Sequence, residues 1–120
     1  MTFEQLKHKI ATIKLSETKC DLSGAELGHL SVEQLEELFK TIPKNVKELD
    51  LGNNLFNLKL AYEFATIIST IPSHITTLNL RYNSLSERTD LELQTIISAI
   101  PETVTIIRLP WNHLSNFSGS

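Results

Sequence analysis

Ile42-Pro43-Lys44-Asn45-Val46-Lys47-Glu48-Leu49-Asp50-Leu51-Gly52-Asn53-Asn54-Leu55-Phe56 is followed twice by stretches built on the same wording. The second runs from Ile71-Pro72 through Ile75, Leu78, Leu80 and Asn83 to Leu85. The third runs from Ile100-Pro101 through Val104, Ile107, Leu109 and Asn112 to Leu114. The three prolines are 29 residues apart. Upstream, Leu6, Ile10, Ile13 and Leu15 supply the same apolar spacing at an offset of 36, with Thr18 in the asparagine slot and Cys20 closing the unit. The excess of 36 over 29 predicts a seven-residue insertion within residues 21–30. Self-similarity at a fixed period of this length means units that stack, each burying an apolar face it cannot bury alone.

The frame reads LxxLxLxxNxL, with Ile, Val, Phe or Cys replacing Leu at some positions. In LxL the two apolar side chains share one face of a short strand, because side chains alternate with a period of two. The asparagine of the frame has both a donor and an acceptor, so it can satisfy turn backbone groups that would otherwise be buried unpaired. Asn54, Asn83 and Asn112 are expected to form such a ladder.

Between strands the apolar period lengthens to about 3.6, the helical value. Val32, Leu35, Leu38, Phe39 and Ile42 form one stripe, Ala61, Phe64, Ile67, Ile68 and Ile71 a second, and Leu93, Ile96, Ile97 and Ile100 a third. Ser31-Val32-Glu33-Gln34 and Thr89-Asp90-Leu91-Glu92 fit capping boxes, and Asn57 is the expected cap of the middle helix. One strand and one helix per unit, stacked in one direction, give an α/β solenoid with a parallel concave sheet and convex helices.

This motif and period resemble the leucine-rich-repeat proteins of the ribonuclease-inhibitor-like class, over roughly residues 3–114. The resemblance implies a short right-handed α/β horseshoe segment. The recurrent IPxxV/IxxLxL wording also resembles the repeats of leucine-rich-repeat effectors from intracellular bacterial pathogens. The expected organisation is one domain over residues 1–120, with a half-repeat cap over 1–9 and repeats starting near residues 10, 46, 75 and 104. The cap begins with its own capping box, Thr2-Phe3-Glu4-Gln5. Beyond Leu114 no helix pattern follows, which predicts an uncapped strand edge over residues 104–109 unless Phe117 folds back on it.

Composition narrows the function classes. A net charge of −3, with Lys and Arg dispersed, argues against nucleic acid, which requires a basic stripe to neutralise phosphates. No N-terminal apolar stretch suits a secretory signal and no run of about 18 apolar residues could span a bilayer, so no membrane role is expected. The expected location is cytoplasmic, or a host cytosol reached without a Sec signal. The single cysteine, Cys20, falls at a core position and reads as a buried small hydrophobe. His8, His29, His74 and His113 have no metal-ligand spacing, and no Gly-rich phosphate loop is present. Neither cofactor, metal nor enzymatic chemistry is expected.

The positions between the leucines face outward from the sheet. As columns they read Lys14, Asp50, Asn79 and Arg108; then Ser16, Gly52, Arg81 and Pro110; then Glu17, Asn53, Tyr82 and Trp111. Neighbouring strands lie about 4.8 Å apart, so Arg81, Tyr82, Arg108 and Trp111 should fall close together. Tyr, Trp and Arg are enriched at interface hot spots because each buries a large area and keeps a polar handle. The expected site is therefore a partner-binding patch of Arg81, Tyr82, Arg108 and Trp111, with Asp50 and Asn79, on a protein-interaction module that takes a protein partner. If the effector likeness holds, that partner is a host protein. The alternative is a structural, self-associating unit, a homodimer through the C-terminal strand edge.

Overall fold

In a computed structural model, described over residues 1–109, four helix–strand units follow one another along the chain. The helices are α1 (Phe3–Ala11), α2 (Val32–Lys40), α3 (Ala61–Ser69) and α4 (Asp90–Ser98). Each leads to a three-residue strand: β1 (Lys19–Asp21), β2 (Glu48–Asp50), β3 (Thr77–Asn79) and β4 (Ile106–Arg108). The strands form one parallel sheet in the order β1-β2-β3-β4. Cys20 pairs with Leu49, Leu49 with Leu78, and Leu78 with Ile107, each step being 29 residues. The α/β solenoid implied by the repeat is the observed fold.

The first unit departs from the sequence reading. Its register is also 29, so there is no insertion, and Lys14, Ser16 and Glu17 belong to the turn before β1. Leu15, expected in the strand core, is 88% exposed. The actual core residues are Cys20 and Leu22, which stack under Leu49 and Leu51. Thr18 does not occupy an asparagine slot; the residue one period before Asn54 is Ala25. Residues 1–9 are not a half-repeat either. Residues 3–9 belong to a nine-residue helix, Phe3–Ala11, that begins and ends one period ahead of α2.

Why Ala25 suffices follows from the direction in which the asparagines reach. Asn54 accepts from the Ala25 and Leu27 N–H groups (3.0 and 3.2 Å) and donates to the Leu22 carbonyl at 2.8 Å. All three lie in the preceding unit. Asn83 repeats the pattern, donating to the Leu51 carbonyl at 3.0 Å and accepting from the Asn54 N–H at 2.9 Å. Each side chain therefore satisfies the turn behind it, and among the described residues no such turn lies behind the unit of β1. Asn54 and Asn83 are both buried. Asn112, the third member of the expected ladder, lies outside the described residues.

Local signals explain the helix boundaries. Thr2, Ser31 and Thr89 each accept from the N–H three residues on, and Gln5, Gln34 and Glu92 return the bond to the cap N–H. The cap of α3 is Leu60 rather than Asn57, which lies in a short 3-10 turn (Phe56–Leu58). Leu60 has no side-chain acceptor, so only Glu63 contributes, accepting the Leu60 N–H at 3.0 Å. At the other end Thr12, Thr41 and Thr70 donate their hydroxyls back to the last-turn carbonyls of Lys9, Leu38 and Ile67. The prolines then open tight turns: the N–H groups of Val46, Ile75 and Val104 bond to the carbonyls of Pro43, Pro72 and Pro101.

Between sheet and helices lies one continuous apolar layer, from Leu6 and Ile10 through Leu35, Phe39 and Phe64 to Ile96 and Val104. Phe56 stacks on Phe64 with ring centroids 4.6 Å apart. Each fully buried side chain of this size contributes about 1.5–3 kcal/mol. The turns on the far side are packed as tightly. Gly28 lies so close to the next unit that a Cβ there would overlap the Leu55 carbonyl.

Two outcomes are expected of the fold. Asn54→Ala leaves two N–H groups and a carbonyl of the preceding turn without partners and should destabilise the chain by about 3 kcal/mol in denaturant titration. A loss under ~0.5 kcal/mol would mean that water replaces the amide. Gly28→Ala should cost about 1–3 kcal/mol through overpacking, whereas Ser86→Ala, the same position two units later, should be nearly neutral.

Candidate protein-binding face

The register fixes which side chains line the outer face of the sheet. One column is Lys19, Glu48, Thr77 and Ile106, and the next is Asp21, Asp50, Asn79 and Arg108. Just past the strands follow Ser23, Gly52 and Arg81, then Gly24, Asn53 and Tyr82. Asp50, Asn79 and Arg108 form a column as expected from sequence, whereas Glu48, Thr77 and Ile106 were not among the expected columns and Pro110 and Trp111 lie outside the described residues. The first members of the expected columns are corrected to Asp21, Ser23 and Gly24, because β1 lies at residues 19–21.

The second column does structural work. Asp21 accepts from the Ser23 N–H at 3.0 Å, Asp50 from the Gly52 N–H at 2.9 Å, and Asn79 from the Arg81 N–H at 3.0 Å. These are Asx turns, in which a short side-chain oxygen takes the N–H two residues on and bends the chain out of the strand. Asn79 is buried and Asp50 is only 1% exposed. Their side chains are occupied in holding the strand exit.

Asp50 is also where the charge of the face is concentrated. Its Oδ2 takes no hydrogen bond of good geometry. Its charge is met by Arg81 Nη1 at 3.3 Å and by Lys19 Nζ at 3.8 Å. Lys19 also lies 3.9 Å from Glu48. Arg81 reaches from the exit of β3 to the end of β2 to do this, and Gly52 makes the path: a Cβ there would come within 2.8 Å of Arg81 Cγ. Arg81 is thus a tethered guanidinium, partly open to solvent, lying on the sheet rather than projecting from it.

Tyr82 projects. It is 47% exposed and has φ +57°, in the left-handed region where Gly24 (+63°) and Asn53 (+52°) occupy the same place in earlier units. A bulky residue in that region costs roughly 1–2 kcal/mol. Arg108, at the edge of the sheet, is exposed, as are Ile106 and Ile107 beside it. Ile107 continues the core column of Cys20, Leu49 and Leu78 yet is 38% exposed, because among the described residues no further strand covers it. Trp111 lies outside the described residues.

Three solved structures resemble the chain. One is the leucine-rich-repeat protein LegL7 from Legionella pneumophila, with a TM-score of 0.88 and 30% identity over 98% of this chain. The fold is that of a leucine-rich-repeat protein. The chain spans 37% of the length of LegL7. The Caenorhabditis elegans tropomodulin C-terminal domain (TM-score 0.55, 13% identity) and actin-binding site 2 of leiomodin-1 (TM-score 0.52, 20% identity) share the fold, each over 98% of this chain and over 70% and 64% of theirs. No family model matches the chain, and no curated protein matches it significantly by sequence.

The remaining reactive side chains of this leucine-rich-repeat unit are built into its packing. Burial pushes the Cys20 thiol up to about 12, outweighing the nearby Lys9 ammonium. At neutral pH it is a thiol in the core. Burial also acts to raise the Asp21 pKa, but the Ser23 hydroxyl and N–H, with Lys9 and Lys19, outweigh it and hold the carboxyl below its ordinary value. His74 Nδ1 lies 2.8 Å from the Val46 carbonyl, the place Asn45 takes one unit earlier in donating to the Glu17 carbonyl. Among the described residues no group of three or more His, Cys, Asp or Glu side chains could hold a metal ion. Nor, among them, is any helix long and apolar enough to cross a membrane.

The Asx column predicts unequal effects at one position. Asp50→Asn keeps the oxygen that Gly52 needs, as Asn79 does one strand on, and should cost less than about 1 kcal/mol. Asp50→Ala removes it and should cost about 2 kcal/mol in thermal or denaturant unfolding. Equal losses would show that the carboxylate charge, not the turn, matters there.

Proposed function

We propose that the chain is a non-catalytic protein-interaction module that receives a protein partner on its concave sheet face, toward β3 and β4. Tyr82 carries this reading. The position takes a left-handed conformation that Gly24 and Asn53 adopt readily, and here an exposed aromatic holds it. Unfavourable backbone geometry at an exposed ring is the kind of feature that persists where a surface is used. Arg81 precedes it in sequence, Arg108 pairs with Asn79 on the neighbouring strand, and Trp111 follows in sequence. Asp50 and Asn79 act in this account as positioning residues: Asp50 tethers Arg81, and Asn79 bends the backbone at Arg81.

The surroundings of the site fit a partner better than a substrate. The face is open, and its polar side chains bond one another or the backbone rather than converging on a cavity. The likeness to a Legionella pneumophila protein, with the IPxxV/IxxLxL wording of the repeats, supports a bacterial effector whose partner is a host protein, met in the host cytosol. The exposed Ile106 and Ile107 favour a second reading, in which β4 pairs with a second copy of the chain.

Capture from a eukaryotic cell lysate, quantified by mass spectrometry, tests the first reading. A specific partner should be retained by the wild-type chain and by Glu33→Lys on α2 of the helical face, and lost with Tyr82→Asn or Arg108→Glu. Tyr82→Asn should leave the melting temperature no lower than in the wild type. Retention that ignores both concave substitutions would sink the proposal. Solution mass across a hundredfold dilution tests the second: a dimer that dissociates on dilution and is lost with Ile107→Lys supports it, and a constant monomer mass rules it out.

A further inference from the structure

The helical face carries a patch that the repeat does not need. At the residue before each helix stand Thr2, Ser31, Leu60 and Thr89, and only Leu60 lacks an oxygen to accept an N–H. At the second helical position stand Glu4, Glu33, Tyr62 and Leu91. The first two units thus present acids where the last two present large apolar side chains. Tyr62 is 66% and Leu91 73% exposed, and Leu58 and Leu60 beside them are exposed as well. Between the N-terminal halves of α3 and α4 runs an open groove of about 350 Å³, lined by Leu60, Ala61, Tyr62, Leu91, Glu92 and Thr95.

Two independent departures from the repeat therefore meet at one place: a forfeited helix cap and a run of exposed apolar residues. Exposed apolar clusters rimmed by polar groups mark interaction surfaces. The rim here is acidic. Glu92 lines the groove, and Glu63 and Asp90 lie in the first turns of α3 and α4, against Lys59; Glu63 and Glu92 each also use one carboxylate oxygen to accept the Leu60 and Thr89 N–H groups. The other nearby cation, Arg88, donates to the Phe56 and Lys59 carbonyls and faces Glu92, so it is engaged inward. A second copy docking through the same patch would bring like charges together, which disfavours self-pairing.

We propose that the groove between α3 and α4 receives an amphipathic helical segment of a partner protein, its apolar side chains seated between Tyr62 and Leu91 and its basic residues meeting Glu63, Asp90 and Glu92. Spacing of three or four residues places apolar side chains on one side of such a segment and leaves its flanks for Lys or Arg. This site lies on the opposite face from the concave sheet and does not depend on it.

The test uses the full chain, isotope-labelled for NMR, and two helical peptides of equal length, one of Leu and Lys and one of Leu and Glu. The Leu/Lys peptide should perturb amides over residues 60–66 and 89–95 and bind at least about tenfold more tightly than the Leu/Glu peptide. Tyr62→Glu and Leu91→Glu, which install the residue α2 carries at Glu33, should weaken it about tenfold or more. Leu60→Ser separates binding from folding: restoring the cap should raise the melting temperature by about 4 °C while weakening the peptide. No perturbation, equal affinity for both peptides, or shifts confined to the sheet face would overturn the proposal. So would a chain that self-associates and becomes monomeric with Leu91→Glu.

Discussion

Everything in this solenoid depends on a buried amide that reaches backward. Asn54 and Asn83 each take two or more backbone groups from the unit before them, in a turn where no strand or helix partner exists. A short strand of three residues cannot hold a unit in place by its own ladder. The amide adds a second line of bonds parallel to the sheet, so each unit is fixed at both the strand and the turn beyond it. The 29-residue period follows from that double constraint, since strand and turn must both come into register at once.

The same logic explains what could be read from the sequence. The three later units each carry proline, LxL and asparagine, and the architecture and the outward column of Asp50, Asn79 and Arg108 were legible from them. The first unit has Lys14 for the proline, Glu17 for the apolar Val46 and Ala25 for the asparagine, and among the described residues no earlier turn lies within reach of that position. Ile10, Ile13 and Leu15 then offered the right apolar spacing at the wrong offset. A better signal was present: Thr2, Ser31 and Thr89 start capping boxes that keep the 29-residue spacing. Helix caps held the register where the strand motif had worn away.

At the candidate site, chemistry was more legible than geometry. Arg81, Tyr82 and Arg108 lie on the face where alternation placed them, but the burial of Asp50 depends on Arg81 crossing an empty Cβ position at Gly52, which no spacing rule reveals. Likewise the left-handed backbone at Tyr82 follows from the turn that Asn79 and Asn83 enforce around it. The face combines a tethered guanidinium with exposed side chains. The tethered Arg81 gives it a fixed electrostatic pattern at little further entropic cost on binding, and the exposed Tyr82 and Arg108 supply area. On the helical side the reverse holds, with a local stabilising device given up where apolar side chains are displayed.

The backward hand-off is open to direct measurement by amide hydrogen exchange. If the asparagine side chains hold the turns, the N–H groups of Ala25, Leu27 and Asn54 should exchange as slowly as that of Leu49 in the central sheet, although none of the three lies in a strand or an α-helix. Exchange at those three amides as fast as in exposed turns such as residues 15–16 would contradict the account, and would leave the strand ladder alone to set the period.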